Sequence, residues 1–406
     1  MESGNNLPRV KVANQAAIKR IIYLHGPITR LEIAKRLDLT LPTITTNVLN
    51  LMREGIVKEV SKQETGSSMG RKSNLLDIEA SSRYFIGLEL RCPVRRACVT
   101  DFKGNIVKCL SHQYDTFDFR SVFSSGIELV QKLLEWAEGE GHHIEAIGVC
   151  LPGIVDNRKG ILKTQLQYDW SDEKVAEDLK AQTGFTGAVV LENDAAARAI
   201  GARLFSKELV NQCQSYAYLL VLSGIACPLM YNAGNYVTEP IGPGEIGYMV
   251  MEPTYPDSQF KSFGVLSEFA GERAVKEKCL LVSEEGRAPF LASHLESGNR
   301  YHFTDLLKAQ DAGDEGVDEI LTNSAKYLGI AIANFDNVVR PDLFLIEAKI
   351  FGNEKNRETF ISSADKHAFR HESDSMRFIF LEPEDYSGAR GAAAVAIQYN
   401  LGEYVE

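Results

Sequence analysis

No stretch of the 406-residue chain stays apolar for the roughly 20 residues that a membrane-spanning helix needs. Its greasiest run, Tyr216 to Leu222, is far too short, and Met1 to Val12 lacks the apolar core of a secretory leader. Paired cysteines are missing as well. The seven cysteines, at 92, 98, 109, 150, 213, 227 and 279, are odd in number and form no close pair, which argues against both a disulfide framework and a zinc knuckle. A reducing cytoplasm, with no membrane partner, is the expected setting. Positive charge is also scarce: 44 Lys+Arg face 55 Asp+Glu, a net charge of -11. That deficit is uneven. Residues 1–80 hold 12 Lys+Arg against 8 Asp+Glu, net +4, whereas the remainder holds 32 against 47, net -15. Only the N-terminal portion is suited to meet phosphate, and the acidic body is suited to solvent and small ligands.

Within the basic portion, Val12, Ala16, Ile18, Ile21, Ile22 and Leu24 follow helical spacing until His25-Gly26-Pro27 stops the helix. Thr29 can cap a second helix, Arg30 to Leu37, and Asp38-Leu39-Thr40 forms a short turn. A third helix is predicted from Leu41 to about Glu54, with Pro42 in its first turn. Its apolar face is Ile44, Val48, Leu51 and Met52. Thr43, Thr46, Asn47 and Asn50 are expected together on the other face, with Thr40 just ahead of them. Short hydroxyl and amide side chains can hydrogen-bond base edges and pack on thymine methyls in the major groove. Two strands are predicted next, residues 55–60 and 74–78, joined by the glycine-rich tip Gly66-Ser67-Ser68-Met69-Gly70-Arg71-Lys72. The order helix, turn, recognition helix, basic hairpin is that of a winged helix-turn-helix, with Arg71 and Lys72 placed to enter a minor groove or grip phosphates. A solvated helix and a flexible basic loop are the bland alternative.

From Arg83 the pattern changes to strands alternating with helices. Predicted strands at 84–90, 96–100, 106–113, 146–150 and 189–191 surround a helix near 122–138. Two strand ends, Leu151-Pro152-Gly153-Ile154-Val155-Asp156 and Glu192-Asn193-Asp194, are natural ligand positions. The motifs Ile147-Gly148-Val149-Cys150-Leu151-Pro152-Gly153, Glu192-Asn193-Asp194-Ala195-Ala196-Ala197, Gly244-Glu245-Ile246-Gly247 and Gly391-Ala392-Ala393-Ala394 follow the winged domain in that order. Taken together, the chain resembles the ROK family of sugar kinases and sugar-responsive repressors, in which the winged domain marks the regulators. The resemblance implies an α+β and α/β multidomain fold, a winged helix-turn-helix followed by a two-lobed actin-like (ribonuclease H-like) body. The domains expected are residues 1–80, a first lobe at 81–193 to which a C-terminal helix near 388–406 returns, and a larger second lobe at 194–387 with a dimerisation surface.

A kinase of this family cradles phosphate in three glycine-rich turns, because only backbone without side chains lets its N–H groups come close. All three are altered here. The Asp-x-Gly-Gly-Thr turn reads Glu89-Leu90-Arg91-Cys92-Pro93, the second reads Ser223-Gly224-Ile225-Ala226-Cys227-Pro228, and the adenosine-side glycine pair reads Glu347-Ala348-Lys349. Asp194 retains the position of the family's catalytic base, but a base without a phosphoryl donor catalyses nothing. Asp194 could equally cap the helix 195–205. Of the family's sugar-holding positions, Gly153, Asn193, Asp194 and Glu245 match, whereas the histidine position is Tyr248 and a later glutamate position is Ser267. The family's zinc loop becomes Ser258-Gln259-Phe260-Lys261-Ser262-Phe263-Gly264-Val265, so no metal is expected there, and Phe260, Phe263 and Val265 are expected to hold the loop by apolar packing. His367 and His371, four apart, have no third ligand nearby and are read as a solvated helix face.

These features imply no catalytic residues and no cofactor. The expected protein is a repressor of carbohydrate-utilisation genes that binds a pseudo-palindromic double-stranded operator as a homodimer or dimer of dimers, with a sugar or sugar-derived effector in its body. Two alternatives remain open: a body that only dimerises or binds a protein partner, and a sugar kinase with an accessory reader.

Overall fold

The computed structural model describes residues 6–60, 74–114, 116–210, 212–231, 244–253, 264–296, 301–370 and 374–402. Among the described residues, no helix is long and apolar enough to cross a membrane.

The N-terminal reader consists of α1 (Asn6–His25), β1 (Ile28–Thr29), α2 (Arg30–Leu37), α3 (Leu41–Arg53), β2 (Val57–Val60) and β3 (Leu75–Ile78). Thr29 starts α2 as expected: its hydroxyl accepts from the Glu32 amide at 3.2 Å while the Glu32 carboxylate accepts from the Thr29 amide at 3.0 Å. Ile18, Ile22, Ile33, Ile44, Val48 and Leu51 close the core between the three helices. The strands pair β1-β3-β2, all antiparallel, with Val57 opposite Ile78 and Val60 opposite Leu75. This is the winged helix-turn-helix framework. The wing tip with Arg71 and Lys72 lies outside the described residues.

The following elements are β4 (Tyr84–Glu89), β5 (Val94–Asp101), β6 (Ile106–Gln113), α4 (Phe119–Gly139), β7 (Ile144–Leu151), β8 (Ile154–Asp156), β9 (Ile161–Gln165), β10 (Trp170–Glu173), α5 (Val175–Thr183), β11 (Ala188–Asn193) and α6 (Asp194–Phe205). Five strands form one sheet in the order β11-β7-β4-β5-β6. The pairs β11–β7 and β7–β4 are parallel, and β4–β5 and β5–β6 antiparallel. This is the strand arrangement of a ribonuclease H-like lobe. A small antiparallel sheet, β10-β9-β8, follows the end of β7.

After a short α7 (Lys207–Val210), a second compact unit contains β12 (Ser215–Val221), β13 (Ile225–Ala226), β14 (Leu229–Tyr231), α8 (Leu266–Ala270), α9 (Glu272–Glu284), α10 (Pro289–Glu296), α11 (Phe303–Asp311), α12 (Glu315–Val339), β15 (Phe344–Ala348), α13 (Glu354–His367) and β16 (Phe378–Leu381). Its sheet repeats the theme: β12 pairs antiparallel with β13 and β14 on one side and parallel with β15 on the other, and β15 continues to β16. Helices α8, α9, α11, α12 and α13 bury their apolar faces with this sheet in one core.

The chain then returns to the first unit through α14 (Ser387–Asn400). The two units divide at 209/210, and 386–406 rejoins the first, whereas the sequence placed the boundary at 193/194. The reason is the packing of α6. Gly391 of α14 lies so close to Ala197 of α6 that a Cβ there would stand 2.8 Å from the Ala197 carbonyl group, and Gly201 faces Gly391 in turn. Beneath them, a Cβ on Gly87 of β4 or Gly148 of β7 would collide with the carbonyl oxygens of Ala389 and Ala392. The Gly-Ala-rich segment of α14 is thus wedged between α6 and the sheet, and α6 belongs with the first unit.

Candidate functional site

In the reader, α3 is the helix available to a major groove. Thr40 is its N-terminal cap residue and is exposed; its hydroxyl lies 2.9 Å from that of Thr43. Thr46 is exposed, while Thr43 and Asn50 are half-buried. Asn47 differs from the expectation. It is only 5% exposed, and its Nδ2 donates to the Thr43 carbonyl within the same helix at 2.8 Å. Asn47 shares the buried stripe with Ile44, Val48 and Leu51, three or four residues apart. The outward stripe is instead Pro42, Thr46, Leu49 and Arg53, with Leu49 43% exposed. Leu49 and Arg53 were missed because polarity, not angular position, guided the choice of face. Their three- and four-residue spacing from Thr46 was the signal that could have found them.

In the body, β7 and β11 run parallel and end side by side, Asn193 opposite Leu151. Gly153 follows β7 with φ +104, and a Cβ there would run into the Thr164 carbonyl oxygen of β9; glycine suits both constraints. Asn193 Nδ2 donates to the Gly153 carbonyl at 3.0 Å. Three expected ligand residues, Gly153, Asn193 and Asp194, are therefore gathered at one strand end. Asn193, not Asp194, caps α6: its Oδ1 accepts from the Ala195 and Ala196 amides at 2.9 and 3.3 Å. Asp194 is the first helical residue, accepts from the Ala195 amide at 3.0 Å and is buried. Burial raises its carboxyl above the usual range, partly offset by Arg198.

The altered phosphate turn at the end of β4 is closed by an ion pair. Glu89, 1% exposed, receives Arg198 Nη2 on its Oε1 at 2.7 Å, and Arg91 Nε stands 3.8 Å from the same oxygen. Arg198 also donates through Nη1 to the Asp194 carbonyl at 3.2 Å and through Nε to Ser387 Oγ at 3.2 Å. Burial pushes Glu89 up, but Arg198 and Arg91 outweigh it and hold its carboxyl below the usual range. Gly388 completes the closure, since a Cβ there would press on both the Glu89 carboxylate and the Arg198 guanidinium. Neither Glu89 nor Arg198 was singled out as a structural partner from sequence. They lie 109 positions apart, and no local pattern links them.

The other altered turns belong to the second unit. Ser223-Gly224 forms the tight link between β12 and β13, closed by the Leu222 amide donating to the Gly224 carbonyl at 2.9 Å. Glu347, next to last in β15, accepts from the Tyr218 hydroxyl at 2.6 Å, while Lys349 pairs with Glu272 at 3.2 Å. Glu245 precedes a 3-10 turn, Ile246–Tyr248, in the same unit. Tyr248 is 38% exposed, and burial, with Glu245 adding to it, raises its phenol above the usual range. Ser267 is buried against Gly247; the next residue, Glu268, turns its carboxylate back to the Gly264 amide at 3.0 Å. Phe260 and Phe263 lie outside the described residues, as does His371. Val265 is fully buried.

Residues 86–399 match the sequence model of the ROK family, and residues 17–58 match that of the winged helix-turn-helix DNA-binding domain. The chain is 24% identical over 343 residues to the xylose repressor of Bacillus spizizenii, covering 84% of this chain and 83% of that one. It is also 24% identical over 359 residues to the DNA-binding transcriptional dual regulator NagC of Escherichia coli, covering 86% and 84%. Among solved structures, a ROK family transcriptional regulator described as a homolog of the Escherichia coli MLC protein superposes with a TM-score of 0.76 at 18% identity, covering 97% of each chain. A ROK family glucokinase from Streptomyces griseus gives 0.63 at 20% identity, over 77% of this chain and 98% of that one. The match to the family model runs through both compact units and the winged-domain match precedes it: the chain belongs to the ROK family, with a winged helix-turn-helix in front of the family body.

Proposed function

We propose that the protein is a sugar-responsive transcriptional repressor of carbohydrate-utilisation genes, that it binds a pseudo-palindromic duplex as a homodimer or dimer of dimers, and that it transfers no phosphate. The observation that carries this reading is the coexistence of a DNA reader with a phosphate turn closed by the Glu89–Arg198 pair. A side-chain ion pair fills that strand end where the family turn has glycines, and Glu89 adds a carboxylate that repels phosphate there. Asp194 would then serve as a ligand for a sugar hydroxyl, with Gly153 and Asn193 beside it; Glu245 and Tyr248, within the second unit, are further ligand positions implied by the family motif. The names of the two relatives, a xylose repressor and NagC, support a sugar-linked regulator.

The test has two arms. Selection of bound DNA from a random duplex pool with the full chain is expected to enrich an inverted repeat, and incubation with Mg-ATP and a hexose panel is expected to give no sugar phosphate. Phosphate transfer abolished by Asp194→Asn would establish the kinase instead. The Tyr248 and Ser267 positions favour a second reading, a body that only dimerises or binds a protein partner. A sugar and sugar-phosphate panel followed by thermal shift separates the two, because a ligand at 100 times its Kd adds about 2.7 kcal/mol of stability.

A further inference from the structure

At one end of α6 and α14, Arg198 ties together the three elements that meet behind the candidate ligand residues: Glu89 at the end of β4, the Asp194 carbonyl at the start of α6 and Ser387 at the start of α14. At the other end, both helices reach the reader. Lys207, two residues beyond α6, donates to the Tyr23 carbonyl of α1 and lies 4.9 Å over the Tyr23 ring. Asn400, the last residue of α14, accepts from Lys19 of α1 through its carbonyl and, at 3.2 Å, through its side chain. Lys19 and Tyr23 are four residues apart, so both attachments fall on one face of α1.

Between the two ends there is little to absorb movement. Helices α6 and α14 meet backbone to backbone at Ala197, Gly201 and Gly391, and α14 rests directly on Gly87 and Gly148 of the sheet. Long side chains can take up a displacement by changing rotamer, but glycine and alanine contacts cannot, so a shift at one end moves the pair as a body. Arg390 adds a brace, donating to the Gly104 carbonyl at 2.9 Å and covering the Phe205 ring at 4.7 Å.

We propose that α6 and α14 form a rigid strut that reports occupancy of the Asn193–Asp194 position to the reader, with Arg198 as the positioning residue at its near end and Lys207 and Lys19 as its attachments to α1. The effector half of this proposal rests on the function proposed above; the mechanical half does not. A sugar hydroxyl bonded to Asp194 would pull on the first turn of α6. Arg198 holds that turn in register with α14, and the strut would carry the change to Lys19 and Tyr23.

Hydrogen exchange of the full chain without ligand tests the mechanical half. Arg198→Lys keeps the charge but loses the forked geometry, and Ser387→Ala removes the Ser387 Oγ contact while sparing the buried pair. Exchange of the α1 amides 18–25 is expected to rise about tenfold in Arg198→Lys and roughly threefold in Ser387→Ala. In a Lys207→Met/Lys19→Met background, the further rise is expected to disappear, a non-additivity that independent sites do not show. Lys103→Met, which breaks the 2.6 Å contact to Asp77 of the reader outside the strut, is the control that leaves this coupling intact. Unchanged α1 exchange in Ser387→Ala and Arg198→Lys, with α6 opening normally at its first turn, would overturn the strut.

The second arm measures operator affinity with D-glucose, D-xylose and N-acetyl-D-glucosamine as probes. A sugar that shifts affinity in the wild type is expected to shift it at least tenfold less in Lys207→Met. An equal shift in both proteins would refute the strut. If no sugar acts on the wild type, the effector reading fails, and hydrogen exchange still decides the mechanical half.

Discussion

On α3, Thr46, Leu49 and Arg53 stand exposed on a helix whose core face is closed without them, whereas at the start of α6 Asp194, Arg198 and the partner of Arg198, Glu89, are buried. The first region can trade side chains and alter what it contacts at little cost to the fold. The second cannot, because the Arg198 guanidinium is buried against Glu89 and losing either one takes away the charge that the other is paired with. A reader can therefore drift in specificity while the body keeps its internal wiring, which fits a chain that retains the family architecture at 24% identity to its relatives. The same contrast ranks the expected effects of substitution.

The largest effect is expected in the body. Glu89→Ala removes the partner of a guanidinium that is 4% exposed and leaves its charge buried; such losses cost about 3–5 kcal/mol. Urea unfolding of the first unit is expected to shift by that amount, while Glu89→Met combined with Arg198→Met is expected to stay within about 1 kcal/mol of the wild type. A mild Glu89→Ala would mean that water reaches Arg198 and that the turn is open.

Next in size is the reader's base preference. Thr46→Ala is expected to narrow the affinity gap between the preferred duplex and one altered at the contacted position by about 1–3 kcal/mol. Arg53→Ala and Arg71→Ala are expected instead to weaken binding to all duplexes and to make its salt dependence shallower by about one unit of slope each. Binding curves at several salt concentrations separate these behaviours. Uniform weakening by Thr46→Ala would place that helix face against phosphate, not bases.

Much of this organisation was legible from sequence because it is local. Helical periodicity located α2 and α3, Thr29 marked the start of α2, and strands alternating with helices marked the change of pattern after Arg83. What escaped depends on angles and on distant pairing. Asn47 is polar and three residues from Ile44, so its chemistry pointed outward while its position pointed inward. Asn193 and Asp194 are both good caps, and only the geometry of the strand end decides for Asn193. The Glu89–Arg198 pair and the backbone contact of α6 with α14 join residues more than a hundred positions apart. The motif Gly391-Ala392-Ala393-Ala394 was visible in the sequence, but not which helix it would meet.

Asn47 itself sharpens the contrast between the regions. Its Nδ2 donates inside α3, so Asn47→Ala is expected to cost about 1 kcal/mol of reader stability through the lost bond to the Thr43 carbonyl. The ratio of affinities for preferred and altered duplexes is expected to stay unchanged. A changed ratio at unchanged stability would show that the side chain turns outward on DNA, and would join Asn47 to the reading face after all.

The smallest expected effect lies where reader and body meet. Burial lowers the amines of Lys19 and Lys207 to about 8, against the ordinary lysine value of 10.5. Below about pH 8 both the folded and the unfolded chain hold these protons, and the folded chain bears the cost of burying the charges. Between about 8 and 10.5 the unfolded chain still holds protons that the folded chain has released, so these two groups add stability as pH rises through that window. Other groups titrate there too, so the quantity to measure is the difference between the wild type and Lys19→Met/Lys207→Met in urea at pH 7.5, 9 and 10.5. The wild type is expected to gain on the variant across the series. A parallel course would mean that both ammonium groups remain hydrated, and that α1 is held to the body by ring packing of Tyr23 on Phe102, beyond the end of β5 and at 5.6 Å between centroids, more than by the lysines.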